Sequence, residues 1–110
     1  MLEYHYRLTN IHGGNMKILE PHSETGWITA IIENHWVQAK VYDEPSTYGI
    51  NDGRVSKIAI AKTDYRDPNK PFHPQLCYNY DRGINFDHAP AGLVDKVVAE
   101  LEKLPKLFVE

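Results

Sequence analysis

Two alternating segments, residues 27–32 and 36–42, constrain the fold more than any other feature of the sequence. Apolar side chains recur at every second position, which predicts β-strands, and the short polar break between the segments predicts an antiparallel hairpin. One face of this hairpin is entirely apolar and carries Ile28, Ala30, Ile32, Val37, Ala39 and Val41. We expect that face to pack into the core, because apolar cross-strand pairs stabilise a sheet.

The turn of this hairpin has two candidate positions. If Asn34 and His35 form the turn, Ile32 pairs with Val37; if Glu33 and Asn34 form it, the pairs change but every side chain keeps its face. The opposite face, here called the aromatic face, carries Trp27, Thr29, Ile31, Trp36, Gln38, Lys40 and Tyr42. Such a surface is unusual on an inert monomer, so we expect the N-terminal segment, a second subunit, or a ligand or partner to cover it.

The remaining elements predict an α+β domain. Strand-like patterns occur at residues 2–9, 16–20, 55–62, 75–80 and 84–86. Residues 91–104 form one amphipathic helix, because their apolar residues are spaced by three and four along a single stripe. We predict an antiparallel sheet of four to five strands with one C-terminal helix packed on one face. A length of 110 residues fits a single domain over residues 1–110.

Composition and charge narrow the classes of function. The net charge is −3, whereas a protein that binds the phosphate backbone usually has an excess of basic residues. This argues against a nucleic-acid partner. No apolar run is long enough to cross a membrane, and the N-terminus lacks the apolar region of a signal peptide. One cysteine, Cys77, excludes an internal disulfide framework and suits a reducing compartment. We therefore expect a soluble, cytoplasmic protein.

The loop at residues 43–53 is the first candidate binding site. Its 11 residues exceed the usual hairpin connection, and loops of excess length are often functional. The candidate recognition residues in it and directly after it are Tyr48, Asn51, Asp52 and Arg54. Arg54 has the right geometry to bind a carboxylate or phosphate through two hydrogen bonds. The alternative is an ordinary connection, shaped by Pro45, Gly49 and Gly53.

A second polar turn at residues 81–83 contains Arg82 and follows Tyr80. This turn either lies plainly at the surface or abuts the 43–53 loop and completes one site with it. Both interpretations fit the sequence.

No motif for metal binding or catalysis stands out. His73 and Cys77 have a spacing that suits zinc, but no second ligand pair accompanies them. The sequence contains neither a phosphate-binding loop nor a nucleophile elbow. We therefore predict no metal, no cofactor and no catalytic residue.

Residues 36–57, residues 78–83 and the closing helix resemble a family of small uncharacterised proteins from bacteria and their phages. The similarity covers about the last two-thirds of the chain. Because that family is a domain of unknown function, the resemblance implies no site residues. It does imply a bacterial or phage origin, and small phage proteins often act by binding a host component, which is an argument by analogy.

The leading hypothesis is a non-enzymatic binding or interaction module that recognises a partner such as a host protein. Its surface would combine Trp27, Trp36 and Tyr42 of the aromatic face with the recognition residues of the loop and with Arg82. On this hypothesis, replacing Trp36 and Arg54 by Ala abolishes partner capture while the thermal midpoint stays within a few degrees.

The alternative hypothesis is a binder or hydrolase of a small anionic or nucleotide-like ligand. Arg54 and Arg82 would hold the anion, and Asp52 or Asp43 would act as the base. A homodimer that closes over the aromatic face is compatible with either hypothesis.

Overall fold

The computed structural model describes residues 16–20 and 25–106, which form one antiparallel sheet and one α-helix, α1 (Leu93–Glu102). The strands are β1 (Met16–Glu20), β2 (Trp27–Ile32), β3 (His35–Val41), β4 (Val55–Ala61), β5 (Leu76–Asp81) and β6 (Ile84–Asp87). They lie in the sheet in the same order as in the chain. The α+β class is confirmed, with six strands instead of four to five. The strand predicted at residues 2–9 lies outside the described residues.

The hairpin of β2 and β3 turns at Glu33 and Asn34, which is the second of the two candidate positions. Ile31 consequently pairs with Trp36. Both turn residues have positive φ, 52° and 65°, as tight two-residue hairpin turns require. The predicted sidedness is confirmed, since the six apolar residues of the core face are each at most 2% exposed.

The main core lies between this face and α1, which contacts β4. The buried residues of the helical stripe are Leu93, Val97, Val98, Leu101 and Leu104, as the spacing predicts. Gly92 has a φ of 80°, a left-handed conformation that glycine adopts without steric cost, and regular helix begins only after it. The helix is therefore shorter than the predicted range of 91–104.

A second apolar cluster lies on the aromatic face and contains Trp36, Ala59, Ala61 and Leu76. The connection between β4 and β5 folds back over this cluster, and the Phe72 ring meets the Trp36 ring edge-on with 6.0 Å between centroids. Trp36 is only 8% exposed. The chain's own residues 62–75 thus cover part of this face, and this cover was not among the three that the sequence suggested.

The side chain of Gln75 holds this connection in shape. Its Nε2 donates to the carbonyl oxygens of Asp67 at 3.0 Å and Pro71 at 2.8 Å, while its Oε1 accepts from the backbone N–H of Asp67 at 2.7 Å. The backbone N–H of Trp36 donates to the carbonyl oxygen of Thr63 at 2.9 Å. These bonds pair backbone groups that no regular element pairs, so the irregular segment makes an ordered cover.

β5 departs from simple alternation at its start. Tyr78 pairs with Ile60, but Leu76 pairs with Ala61, so one extra residue, Cys77, is inserted between them. Strict alternation places Leu76 on the same face as Tyr78. The bulge instead puts Leu76 in the cluster on the aromatic face and Cys77 in the main core.

Candidate functional site

The register of the sheet arranges the side chains of the aromatic face in rows that run across the strands. One row contains Thr29, Gln38, Ala59, Asn79 and Phe86. The next row contains Trp27, Lys40, Lys57 and Asp81. Because the small Ala59 stands between the longer Gln38 and Asn79, the sheet has a depression at this point.

This depression is a groove of about 180 Å³, here called the Ala59 groove. Trp27 and Lys57 line it from the sheet, and Phe72 and His73 line it from the covering connection. Strands β2 to β6 all contribute to its lining or its rows, so its walls belong to paired strands more than to free loops. A site on such elements holds its side chains in fixed positions.

Three side-chain amides supply the hydrogen-bonding groups of the groove. Asn85 Nδ2 donates to Asn79 Oδ1 at 2.5 Å, which leaves Asn79 Nδ2 and Asn85 Oδ1 for other partners. The half-buried Gln38 amide makes no side-chain hydrogen bond within residues 16–20 and 25–106. The groove therefore offers both donors and acceptors to a bound group.

The groove also carries positive charge at one end. Lys57 Nζ lies 3.7 Å from Asp81 Oδ1, and Arg82 Nε lies 3.5 Å from the same oxygen, so the two cations share one carboxylate. Lys40 stands opposite Lys57 in the ladder and forms no ion pair within the described residues. Like charges directly opposite each other destabilise a sheet. This local excess of cations contrasts with the net charge of −3 of the whole chain.

The three residues of the aromatic face that were predicted to bind a partner lie in different environments. Trp27 lines the Ala59 groove. Trp36 is buried beneath Phe72, so its ring is not accessible to a partner in this structure. Tyr42 is 40% exposed, and Lys40 Nζ lies 5.4 Å from the centre of its ring.

Arg54 binds the chain itself. Its Nη1 donates to the carbonyl oxygens of Glu102 at 3.0 Å and Leu104 at 2.8 Å, where α1 ends, and its Nε donates to the carbonyl oxygen of Tyr42 at 2.7 Å. Carbonyls at a helix C-terminus lack intrahelical partners and favour a nearby cation. Arg54 therefore fixes the end of the loop to the end of α1, and the role in anion binding predicted for it stays a prediction.

The 43–53 loop and the 81–83 turn lie together, as the functional interpretation of that turn supposes. Tyr80 O–H donates to the carbonyl oxygen of Tyr48 at 2.8 Å, and the Arg82 guanidinium lies 5.9 Å from the centre of the Tyr48 ring. Asn51 and Asp52 are exposed and have left-handed φ values of 55° and 58°. Asn51 lines a separate open depression beside α1, so the predicted site residues do not form one surface.

The sequence did not single out Gln38, Lys57, Asn79 or Asn85 as site residues. Their proximity depends on the register of four strand pairs, which the sequence does not show, and the small Ala59 leaves space between them. The sequence does show polar residues on the aromatic face, but it does not show which of them lie side by side on neighbouring strands.

The described residues contain no group of three or more His, Cys, Asp or Glu side chains arranged to hold a metal ion. His73 lies at the groove, whereas Cys77 lies in the main core on the other face, so the two do not form a ligand pair. Burial raises the pKa of the Cys77 thiol. Within the same ranges, no helix is long and apolar enough to span a membrane.

The model of a domain of unknown function, DUF7678, matches residues 16–104 of the chain. No curated protein matches the chain, and no solved structure does. The matched range begins at the first residue of β1 and ends just after α1, so it contains every strand and the helix described above. The resemblance to a domain of unknown function is confirmed, and the chain belongs to the DUF7678 family.

Proposed function

We propose that this domain is a non-enzymatic binding module of bacterial or phage origin, and that the Ala59 groove is where it holds its partner or ligand. The observation that carries the proposal is the convergence of an indole, three amides and a lysine on one concave point of a rigid sheet. Binding sites typically combine an apolar wall with a few polar groups that fix orientation. The groove has both.

The size of the groove limits what it holds. Its 180 Å³ is slightly more than an apolar cavity of about 150 Å³ that binds one benzene molecule, and less than the usual volume of a site for a drug-sized ligand. The bound group is therefore one ring or one side chain. The exposed Tyr42, Tyr48 and Arg82 belong to residue types that carry interface energy and would contact the remainder of a larger partner.

A fragment screen followed by two-dimensional ¹H–¹⁵N NMR tests the proposal. We expect ring-sized polar fragments to shift the signals of the Trp27 indole, the Gln38 side-chain amide and the Ala59 backbone amide. Ala59→Val places two further carbon atoms in the floor of the groove, and its β-branched side chain suits a strand, so the variant should fold and bind the fragments at least about tenfold more weakly.

Ala99→Val is the matched control, because Ala99 is exposed on α1 and lines the depression on the other side of the molecule. It should bind the fragments as the wild type does. If the fragments instead shift signals around Asn51 and Val98, or if Ala59→Val binds them undiminished, the groove is not the site.

A further inference from the structure

We propose that the ligand of the Ala59 groove is a free nucleoside monophosphate with a single-ring base. The base lies over Ala59 beside Trp27, and the phosphate lies at Lys40 and Lys57. This inference rests on the proposed function, because it names the chemical class that the groove binds.

The base is assigned from the size and polarity of the groove. A volume of about 180 Å³ accommodates one six-membered ring with its exocyclic atoms. The indole of Trp27 is part of the lining, and bases stack on aromatic side chains. Gln38 and the Asn79–Asn85 pair offer amide donors and acceptors, and amide side chains recognise the donor and acceptor pattern of a base edge. A plain hydrocarbon ring would leave these amides without partners.

The phosphate is assigned from the adjacent row of side chains. Lys57 is two residues from Ala59 on β4, a spacing of roughly 7 Å, which is within reach of a phosphate attached to the sugar of a base bound over Ala59. Lys57 and Arg82 flank a single carboxylate, Asp81, and Lys40 stands opposite Lys57 across the ladder of β3 and β4. This row and the adjoining turn therefore hold three cations and one anion, a local excess of two positive charges. A monophosphate carries close to two negative charges at neutral pH.

Isothermal titration calorimetry with uridine 5′-monophosphate, uridine, inorganic phosphate and adenosine 5′-monophosphate tests the assignment. We expect the uridine nucleotide to bind with a Kd of the order of 0.1 mM, a typical efficiency for a ligand of this size. Uridine and inorganic phosphate should each bind at least about tenfold more weakly, because each lacks half of the recognised group. Adenosine monophosphate should also bind more weakly, because its second ring exceeds the groove.

Two variants locate the bound nucleotide. Lys57→Met keeps the aliphatic stem and removes the charge, so it should weaken binding of the uridine nucleotide roughly tenfold and leave the weak binding of uridine unchanged. Gln38→Leu should weaken the binding of both the uridine nucleotide and uridine. Lys96→Met is the control, since Lys96 is exposed on α1 and should not affect either ligand.

Equal binding of inorganic phosphate and the nucleotide would overturn the assignment of the base, and equal binding of uridine and the nucleotide would overturn that of the phosphate. Equal or tighter binding of adenosine monophosphate would overturn the size argument. If a short oligouridylate binds more tightly than the mononucleotide, the ligand is a nucleic acid and the assignment of a free nucleotide is wrong. If fragments bind at the Ala59 groove but the uridine nucleotide does not, this inference falls and the proposed function stands. If fragments bind only elsewhere, both fall.

Discussion

Tyr78 in β5 is only 3% exposed, and its ionisation should couple to folding. Burial raises the pKa of Tyr78 to about 12, and the carboxylate of Asp87, its cross-strand partner in β6, acts in the same direction. An unfolded tyrosine titrates near pH 10, so the folded state holds the phenol proton more tightly. The contribution of Tyr78 to stability should be constant below about pH 10 and should be lost as the pH rises through about 10 to 12, by about 3 kcal/mol in total.

Urea denaturation at a series of alkaline pH values measures this loss, and Tyr78→Phe removes the group that causes it. The variant should lose about 3 kcal/mol less than the wild type over the same pH interval. Tyr65→Phe is the control for the loss of a tyrosine hydroxyl, because Tyr65 is 65% exposed and the variant keeps Tyr78. A Tyr78→Phe variant that follows the wild-type curve would disprove the coupling.

Ser56 in β4 is a buried polar residue whose hydroxyl forms no hydrogen bond with the described residues. It lies at the irregularity between β3 and β4 and is 2% exposed. An unpaired buried hydroxyl is unfavourable, so Ser56→Ala should raise the free energy of unfolding by about 1 kcal/mol.

Thermal and urea unfolding of Ser56→Ala measure this gain. Ser46→Ala is a useful comparison, because Ser46 Oγ accepts a hydrogen bond from the backbone N–H of Tyr48 at 3.2 Å, and its loss should not stabilise the protein. A loss of stability in Ser56→Ala would show that the hydroxyl has a partner after all.

At the scale of elements, Arg54 connects three parts of the chain: the end of β3, the start of β4 and the end of α1. Arg54→Ala leaves the carbonyls of Tyr42, Glu102 and Leu104 without their charged donor. We expect a loss of about 2 kcal/mol in the free energy of unfolding, measured by urea denaturation, with Arg54→Lys intermediate because an ammonium group cannot reproduce the planar guanidinium. This replaces the expectation from the sequence that the thermal midpoint of an Arg54 variant barely moves.

Arg82→Ala is the matched control for Arg54→Ala. The Arg82 side chain is 62% exposed, and its guanidinium contacts Asp81 and the Tyr48 ring, so its removal should change the free energy of unfolding by less than about 0.5 kcal/mol. Equal effects of the two substitutions would mean that the contacts of Arg54 with the end of α1 do not stabilise the fold.

Hydrophobic periodicity predicts some features of these elements and not others. The faces of β2 and β3 and the stripe of α1 follow from periodicity, because burial acts on every second residue of a strand and on every third or fourth residue of a helix. The turn at Glu33 and Asn34, the bulge at Cys77 and the cover by Phe72 do not follow. The turn depends on which of two neighbouring registers the hairpin adopts, whereas the bulge and the cover depend on contacts between residues distant in the chain. The Ala59 groove depends on all the strand registers together.

For the whole molecule, the two apolar clusters are on opposite faces of one sheet and share its strands. In β3, Val37 lies in the main core and Trp36 in the second cluster. In β4, Ile60 lies in the main core and Ala61 in the second cluster. Neither cluster can separate without breaking strands that the other needs. We therefore expect one cooperative unfolding transition, in which a signal from Trp36 and a signal from the backbone change together.

Trp36 fluorescence in a Trp27→Phe background reports the second cluster, and far-ultraviolet circular dichroism reports the strands and α1. Phe72→Ala tests the coupling, since it removes the ring that covers Trp36 and should destabilise the protein by about 3 kcal/mol. If the clusters unfold as one unit, both midpoints fall by the same amount. If the cover on residues 62–75 opens by itself, the fluorescence midpoint falls alone, and the wall of the Ala59 groove that Phe72 and His73 supply is then a separately moving part.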